Sequence, residues 1–440
     1  MAPLTSLAQE VVDYIIDCLH GDVKSLRNCA LVSTSWTPRA QRNIFAEVTL
    51  PLRHDGVPTG RFTQLQDIVQ QSPKIALMPR RVCLLGDELA AFPPSPEGSP
   101  AAAAVQLFPN IREVAVVKFT CQSLPDIAES ILAAIPAVAA LSIDEVCILE
   151  IPLPGGRVWL PPQSPVVVQI APSGPVHHRP PTLRKLTIRN LQALQGVAQC
   201  ESFALAENLA QRGQLSSLVS LELLSRPGVT QTWLPFLPSI GRNLQRCAMT
   251  INDVVPHRSV SFYRALTEEQ LHESITRFYN ALLACPHLHS LGIKYDGLPT
   301  YAKALEEAYE DPTLIPRTSE SPYFFQELTA LLSRADVPFP KLETLTFDVL
   351  STVEGLSLFE DAWTALRDAL CTPGRYPCFW HLHVELEEMG TGYGPWSYLE
   401  HVQGRNADAR AALLRAQLGM FEGSGITISV ATRDSKAWMW

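Results

Sequence analysis

PKLETLTF, residues 340–347, is the stretch on which the fold turns, because its pattern recurs along the chain. Leu345 and Phe347 alternate as in a strand with one buried face, Leu342 adds an apolar position just before it, and Pro340 stands ahead of the strand, where its missing N–H costs no ladder bond. The same phrase, often Pro and then x-Leu-x-x-Leu-x-Ile, appears as PNIREVAV (109–116), PAVAALSI (136–143), PTLRKLTI (181–188), SSLVSLEL (216–223), RNLQRCAM (242–249), PHLHSLGI (286–293) and PCFWHLHV (377–384). Eight occurrences predict eight strands of one kind.

Helical stretches lie between them. Thr267 and Gln270 have the spacing of a capping box, Leu266 and Leu271 that of a hydrophobic staple, and Ile275, Phe278 and Leu282 continue an apolar face. Ser357 and Glu360 repeat the device ahead of Phe359, Trp363, Leu366 and Leu370. A helix-turn-strand unit of this size buries its strand only by stacking on its neighbours. Successive phrases are 26 to 54 residues apart, against about 20–29 in regular leucine-rich repeats. The array therefore resembles an irregular leucine-rich-repeat solenoid with parallel strands and convex helices. Two proline-rich insertions, 92–104 and 151–181, lack helical periodicity and are predicted as loops.

The N-terminus reads differently. Residues 7–45, LAQEVVDYIIDCLHGDVKSLRNCALVSTSWTPRAQRNIF, contain three short amphipathic helices. Val11, Val12, Ile15, Ile16 and Leu19 make a broad apolar stripe on the first, which Ser6 and Gln9 can cap and Gly21 ends. Asp22 is the N-cap of a second helix carrying Leu26, Cys29, Ala30 and Val32; Ser35 caps a third, with Pro38 in its first turn and Trp36, Ala40 and Ile44 inside. About forty residues seldom bury enough surface to fold alone, so the surplus apolar area needs either the rest of the chain or a partner.

On Leu7, Glu10, Val11, Ile15, Leu19, Leu26, Leu31, Val32, Ser33, Trp36, Ile44 and Phe45 the stretch resembles the F-box, the module that docks onto the Skp adaptor of cullin-RING ubiquitin ligases. The family usually opens Leu-Pro-x-Glu; here it reads Leu7-Ala8-Gln9-Glu10. Residues 61–84, RFTQLQDIVQQSPKIALMPRRVCL, are similar to the segment that follows the F-box in many fungal members, with a helix stopped at Ser72-Pro73 and a strand at Val82 and Leu84. The resemblance implies an α/β chain: a short all-α F-box-like module over 1–48, then an irregular leucine-rich-repeat-like domain over 49–440. It implies adaptor contact through Leu7, Val11, Ile15, Ile16, Leu19, Val32 and Trp36, because large desolvated apolar and aromatic side chains dominate such interfaces.

Bulk properties narrow the function. A net charge of -9 and a pI near 5.7 argue against general nucleic-acid binding. No run of 18 apolar residues occurs: stretch 127–149 is broken by Glu129, Pro136, Asp144 and Glu145. The N-terminus has no basic segment leading into an apolar core. Ten cysteines lie without paired spacing, as reduced thiols do. A cytoplasmic or nuclear protein without membrane contact is expected.

No catalytic constellation emerges, and neither a metal nor a cofactor is expected. Cys285, His287 and His289, and Cys378, His381 and His383, have no second cysteine pair to complete a zinc set. Gly390-Thr-Gly392-Tyr-Gly394 runs into Pro395 without a helix start, and Gly423-Ser-Gly425 lacks the flanks of a nucleophile elbow. The chain is expected not to be an enzyme.

What remains is a polar surface on the outward positions of the strands: Glu113, Lys185, Thr187, Arg189, Glu222, Arg246, Lys294, Thr344, Asp348, His381, His383 and Glu385. Together these readings predict the substrate-recognition subunit of a Skp-cullin-F-box ubiquitin ligase, holding an unknown protein substrate on that surface, with Lys185, Arg189, Arg246, Lys294, Asp348, His381, His383 and Glu385 as contacts. The alternative is an adaptor-independent scaffold for protein–protein interaction.

Overall fold

At each of the eight phrases the chain enters a parallel strand, and all three apolar positions of every phrase are buried. In PKLETLTF, Leu342, Leu345 and Phe347 are wholly buried, while Thr344 and Thr346 take the opposite face, as the two-residue period requires. The ladder starts one residue ahead of each strand. His289 N–H donates to the Gln245 carbonyl at 2.8 Å, Glu343 N–H to His289 at 2.8 Å and Trp380 N–H to Glu343 at 3.1 Å. Pro286, Pro340 and Pro377 stand further upstream and owe the ladder nothing.

The computed structural model describes residues 8–52, 60–86, 107–135, 137–148, 183–193, 197–225, 229–252, 254–256, 263–265, 268–296, 323–349, 360–388 and 407–434. The proline-rich insertions, Ser6, Leu7, Leu266, Thr267, Ser357, Phe359 and the Gly390–Gly394 run lie outside them. The chain divides into two compact units, Met1–Leu149 with His178–Leu183, and Glu150–His177 with Arg184–Trp440.

In the first unit β1 (Glu47–Leu52), β2 (Arg81–Gly86), β3 (Glu113–Val117) and β4 (Ala140–Asp144) each pair in parallel with the next. Ahead of them come α1 (Gln9–Cys18), α2 (Val23–Val32) and α3 (Thr37–Ile44). Gly21, at φ +94°, makes the left-handed turn between α1 and α2. Asp22 caps α2 by accepting the Ser25 N–H at 3.0 Å. The N-cap of the third helix falls one residue later than expected, at Trp36 in place of Ser35, and Thr37 Oγ1 donates to the carbonyls of Ala30 at 2.8 Å and Ser33 at 3.1 Å, which ties α3 to the end of α2. Val12, Ile16, Leu26 and Ala40 form the buried cluster, with Leu19, Cys29, Ala30, Trp36 and Ile44 packed partly against it. Arg39 and Asn43 of α3 both donate to the Asp17 carboxylate of α1, at 2.7 Å from Arg39 Nε and 2.9 Å from Asn43 Nδ2.

In the second unit β5 (Lys185–Arg189), β6 (Ser220–Leu224), β7 (Arg246–Asn252), β8 (Ser290–Asp296), β9 (Thr344–Val349), β10 (His381–Glu388) and β11 (Thr427–Asp434) again run parallel, neighbour to neighbour. Helices cover their apolar face. Phe325 from Tyr323–Leu332, Phe347 from β9 and Trp363 from Glu360–Cys371 meet with ring centroids 4.6 to 5.7 Å apart, all three wholly buried. Edge-to-face and tilted contacts of this kind add to the burial itself.

The expected architecture of a short all-α module followed by an irregular leucine-rich-repeat-like solenoid is thereby corrected. The chain is α/β, with eleven strands in parallel ladders. The helices are not set apart from the strands: α3 runs straight into β1, which pairs with β2 along its whole length, and Arg80 and Arg81 donate to the carbonyl of Ala46 at 2.9 and 3.1 Å.

Candidate functional site

Two surfaces stand out, one in each unit. In the first, the apolar stripe of α1 is wider than the small cluster beneath it can cover. Val12 and Ile16 turn inward, and Val11, Tyr14 and Ile15 are left facing solvent. On α2 Leu26 is buried, while Val23, Leu31 and Val32 are exposed, Leu31 to 86% and Val32 to 66%. Six of the nine large apolar side chains that the described residues expose therefore fall between positions 11 and 32. Concentrated exposure of this sort marks an interaction face, whereas single exposed leucines do not.

The predicted adaptor contacts divide accordingly. Val11, Ile15 and Val32 are presented to solvent. Ile16 is a correction: at 0% exposure it holds the helices together and has no side chain to offer a partner. Leu19 and Trp36 pack partly on the same cluster. Tyr14, Val23 and Leu31 were missed as contacts. Their signal was present, since residues three or four apart on a helix share a face, and Tyr14 and Leu31 fall off the buried stripe.

The second surface is the outward face of the strands in the second unit. Register aligns it in rungs. Lys185, Ser220, Arg246, Ser290, Thr344 and His381 share the first; Thr187, Glu222, Ala248, Gly292, Thr346 and His383 the second; Thr250, Lys294, Asp348 and Glu385 belong to the third, level with Arg189. The second rung sinks where Ala248 and Gly292 meet. A Cβ added to Gly292 would lie 2.9 Å from the Ala248 Cβ, so the strands here carry almost no side-chain height. The result is a concavity of about 360 Å³, lined by Lys185, Arg189, Arg246, Lys294, Glu222, Asp348 and Glu385 among others. Six of the eight predicted contacts line it.

His381 and His383 stand on the same face outside that lining. Both reach Ser429 of β11, His381 Nε2 and His383 Nδ1 each 2.7 Å from its Oγ, and Trp380 stacks on His381 at 5.0 Å. Burial, then the neighbouring His383, pushes the His381 imidazole below its ordinary value. His289 is engaged with Glu343 at 2.7 Å, and burial pushes the Cys285 thiol up to about 12. Among the described residues no group of three or more His, Cys, Asp or Glu is placed to hold a metal ion. Glu113 is exposed on β3 of the first unit.

Charge is arranged within the concavity. Arg189 Nε donates to Glu222 Oε1 at 2.8 Å, and Lys294 Nζ lies 3.6 Å from Asp348 Oδ2, both side chains of the latter pair only 11% exposed. Lys185, Arg246 and Glu385 form no ion pair among the described residues. Two cations are thus open at one end and one carboxylate at the other. The floor could have been found in the sequence: the seventh position of RNLQRCAM and PHLHSLGI, two successive phrases, is Ala248 and Gly292.

Among the described residues no helix is long and apolar enough to cross a membrane. No protein-family model and no curated protein matches the chain. Among solved structures it is similar to the Paramecium bursaria Chlorella virus arginine decarboxylase bound to agmatine, at 7% identity and a TM-score of 0.20, over 87% of this chain and 63% of that one. The chain thus spans less than two thirds of that protein's length, and a TM-score of this size brings neither a fold nor an activity to it. That protein is an enzyme, and the expectation that this chain is not one is not carried forward.

Proposed function

We propose that α1, α2 and α3 form an F-box-like module that docks onto a Skp-type adaptor of a cullin-RING ubiquitin ligase, and that the polar strand face of the second unit holds the protein to be modified. The carrying observation is the concentration of exposed Val11, Tyr14, Ile15, Val23, Leu31 and Val32 on helices whose buried cluster has only four members. Side chains of that kind become favourable once a partner removes them from water, at about 25 cal/mol per Å². Holding adaptor and target on one chain raises the local concentration of the target's lysines at the ligase. This reading places the protein in the cytoplasm or nucleus.

Ile15→Asp tests it. The side chain is half exposed, so the helices stay folded, and a charge in a desolvated contact lowers adaptor binding by at least roughly thirtyfold. Undiminished co-purification with the adaptor from the same cells overturns the docking role. An adaptor-independent scaffold is favoured by one feature, the direct passage of α3 into β1 within a single compact unit. On that reading Ile15→Asp changes no partner of the chain.

A further inference from the structure

Seven charged side chains line the concavity of the second unit, and four of them neutralise one another as Arg189 with Glu222 and Lys294 with Asp348. The remaining three are sorted by sign. Lys185 and Arg246 stand on the first rung with Ser220 between them, two strands apart, or about 10 Å at the usual strand spacing. Glu385 stands on the third rung of β10, across from Asp348, so it adds negative charge beside a carboxylate already committed to Lys294. Three strand spacings and four residue rises separate Arg246 from Glu385, which is about 20 Å between backbones. Between them the second rung carries Ala248, Gly292 and Thr346, a floor of short side chains under a chain laid across the sheet.

We infer that this concavity takes an extended segment of the recruited protein bearing an acidic side chain against Lys185 and Arg246 and, about six residues along, a basic side chain against Glu385. The identity of the occupant as a protein segment rests on the reading of this face as the recruiting surface; the charge layout does not. An extended chain rises about 3.3 Å per residue, so six residues span the same 20 Å. Ser220 and Ser290, beside Arg246 on the first rung, add hydroxyl donors for the acidic group. A single uniform charge fits poorly: an all-acidic segment meets Glu385 and Asp348, and an all-basic one meets Lys185 and Arg246.

The full chain is titrated against fluorescein-labelled Gly-Ser peptides, read by anisotropy at low salt. One peptide carries Asp and Arg about six residues apart; the others carry the same pair adjacent, two Asp, or two Arg at the wide spacing. The widely spaced Asp–Arg peptide binds best, Arg246→Glu or Glu385→Lys weakens it by at least roughly tenfold, and Glu385→Lys shifts preference to the two-Asp peptide. Lys341→Glu, an exposed cation elsewhere, changes nothing. Affinity that follows only the peptide's net charge, or the absence of saturable binding by any of the four, overturns the inference. Adaptor co-purification of the same variants stays unchanged, so failure here and failure of the docking module are read separately.

Discussion

The three N-terminal helices close over four buried side chains, Val12, Ile16, Leu26 and Ala40, whereas in the second unit most strands bury two or three apolar residues each and the helices above them add Phe325, Trp363, Leu366 and Leu370. Both regions are built from amphipathic pieces of similar length. They differ in where the apolar surplus goes: the second unit, among its described residues, leaves one large apolar side chain, Trp380, facing solvent, and the helices leave six. Burial of each such side chain is worth about 1.5–3 kcal/mol. The second unit takes that stabilisation internally, and the helices leave it unrealised.

The comparison breaks most visibly at Trp363. Its ring packs edge-on against Phe325 at 4.6 Å and Phe347 at 5.7 Å, with no exposure. Trp363→Ala is expected to destabilise the chain by about 3–5 kcal/mol, read as the shift in a urea unfolding curve followed by circular dichroism. Trp363→Phe costs a small fraction of that, because the indole Nε1–H has no acceptor among the described residues and its removal relieves a buried, unsatisfied donor. Equal losses for the two variants would mean that the indole N–H is held by something.

A smaller effect separates the regions by pH. Hydrogen bonds from the Arg39 guanidinium first, and from the Asn43 amide second, hold the Asp17 carboxyl at about 2, below its ordinary 3.8. A depressed acid stabilises the fold above its unfolded value and loses that contribution as pH falls through the folded one, so what Asp17 adds to the contact between α1 and α3 is lost between about pH 4 and pH 2. Asp17 is more than a third exposed, and solvent and salt screen the pair. Asp17→Asn is expected to raise hydrogen exchange in α1 and α3 at neutral pH and to flatten its dependence on acid, while the strands of the second unit keep their protection.

Much of this was legible before any coordinates. Eight strands announced themselves because alternation of buried and outward positions is a two-residue signal that local sequence carries whole. β1 and β11 did not: EVTLPL has proline inside the strand, tolerated because β1 pairs on one side only with β2, and TISVATRD follows glycines in place of the usual Pro-x-Leu. In α1 the stripe was visible but not its halves. Val11 and Ile15 are spaced like Val12 and Ile16, and only the packing of Leu26 and Ala40 decides which pair is covered. The concavity depends on Ala248 and Gly292 meeting across strands 44 residues apart: both hold the seventh position of their phrases, and what neither phrase encodes is that these two strands lie side by side.

The smallest expected effect is the sharpest test of the contrast. Leu31 lies in the last turn of α2 at 86% exposure, so little of its side chain contributes to the fold. Leu31→Ser should leave the unfolding midpoint within about 0.5 kcal/mol of the parent, and, by removing apolar area from the open face, should reduce self-association in sedimentation at high concentration. A loss of about 2 kcal/mol or more would place Leu31 in a core, and the helices would then be an ordinary part of the body with no face in reserve. Stability unchanged and association reduced is the pattern of a side chain kept outside the fold for use by something else.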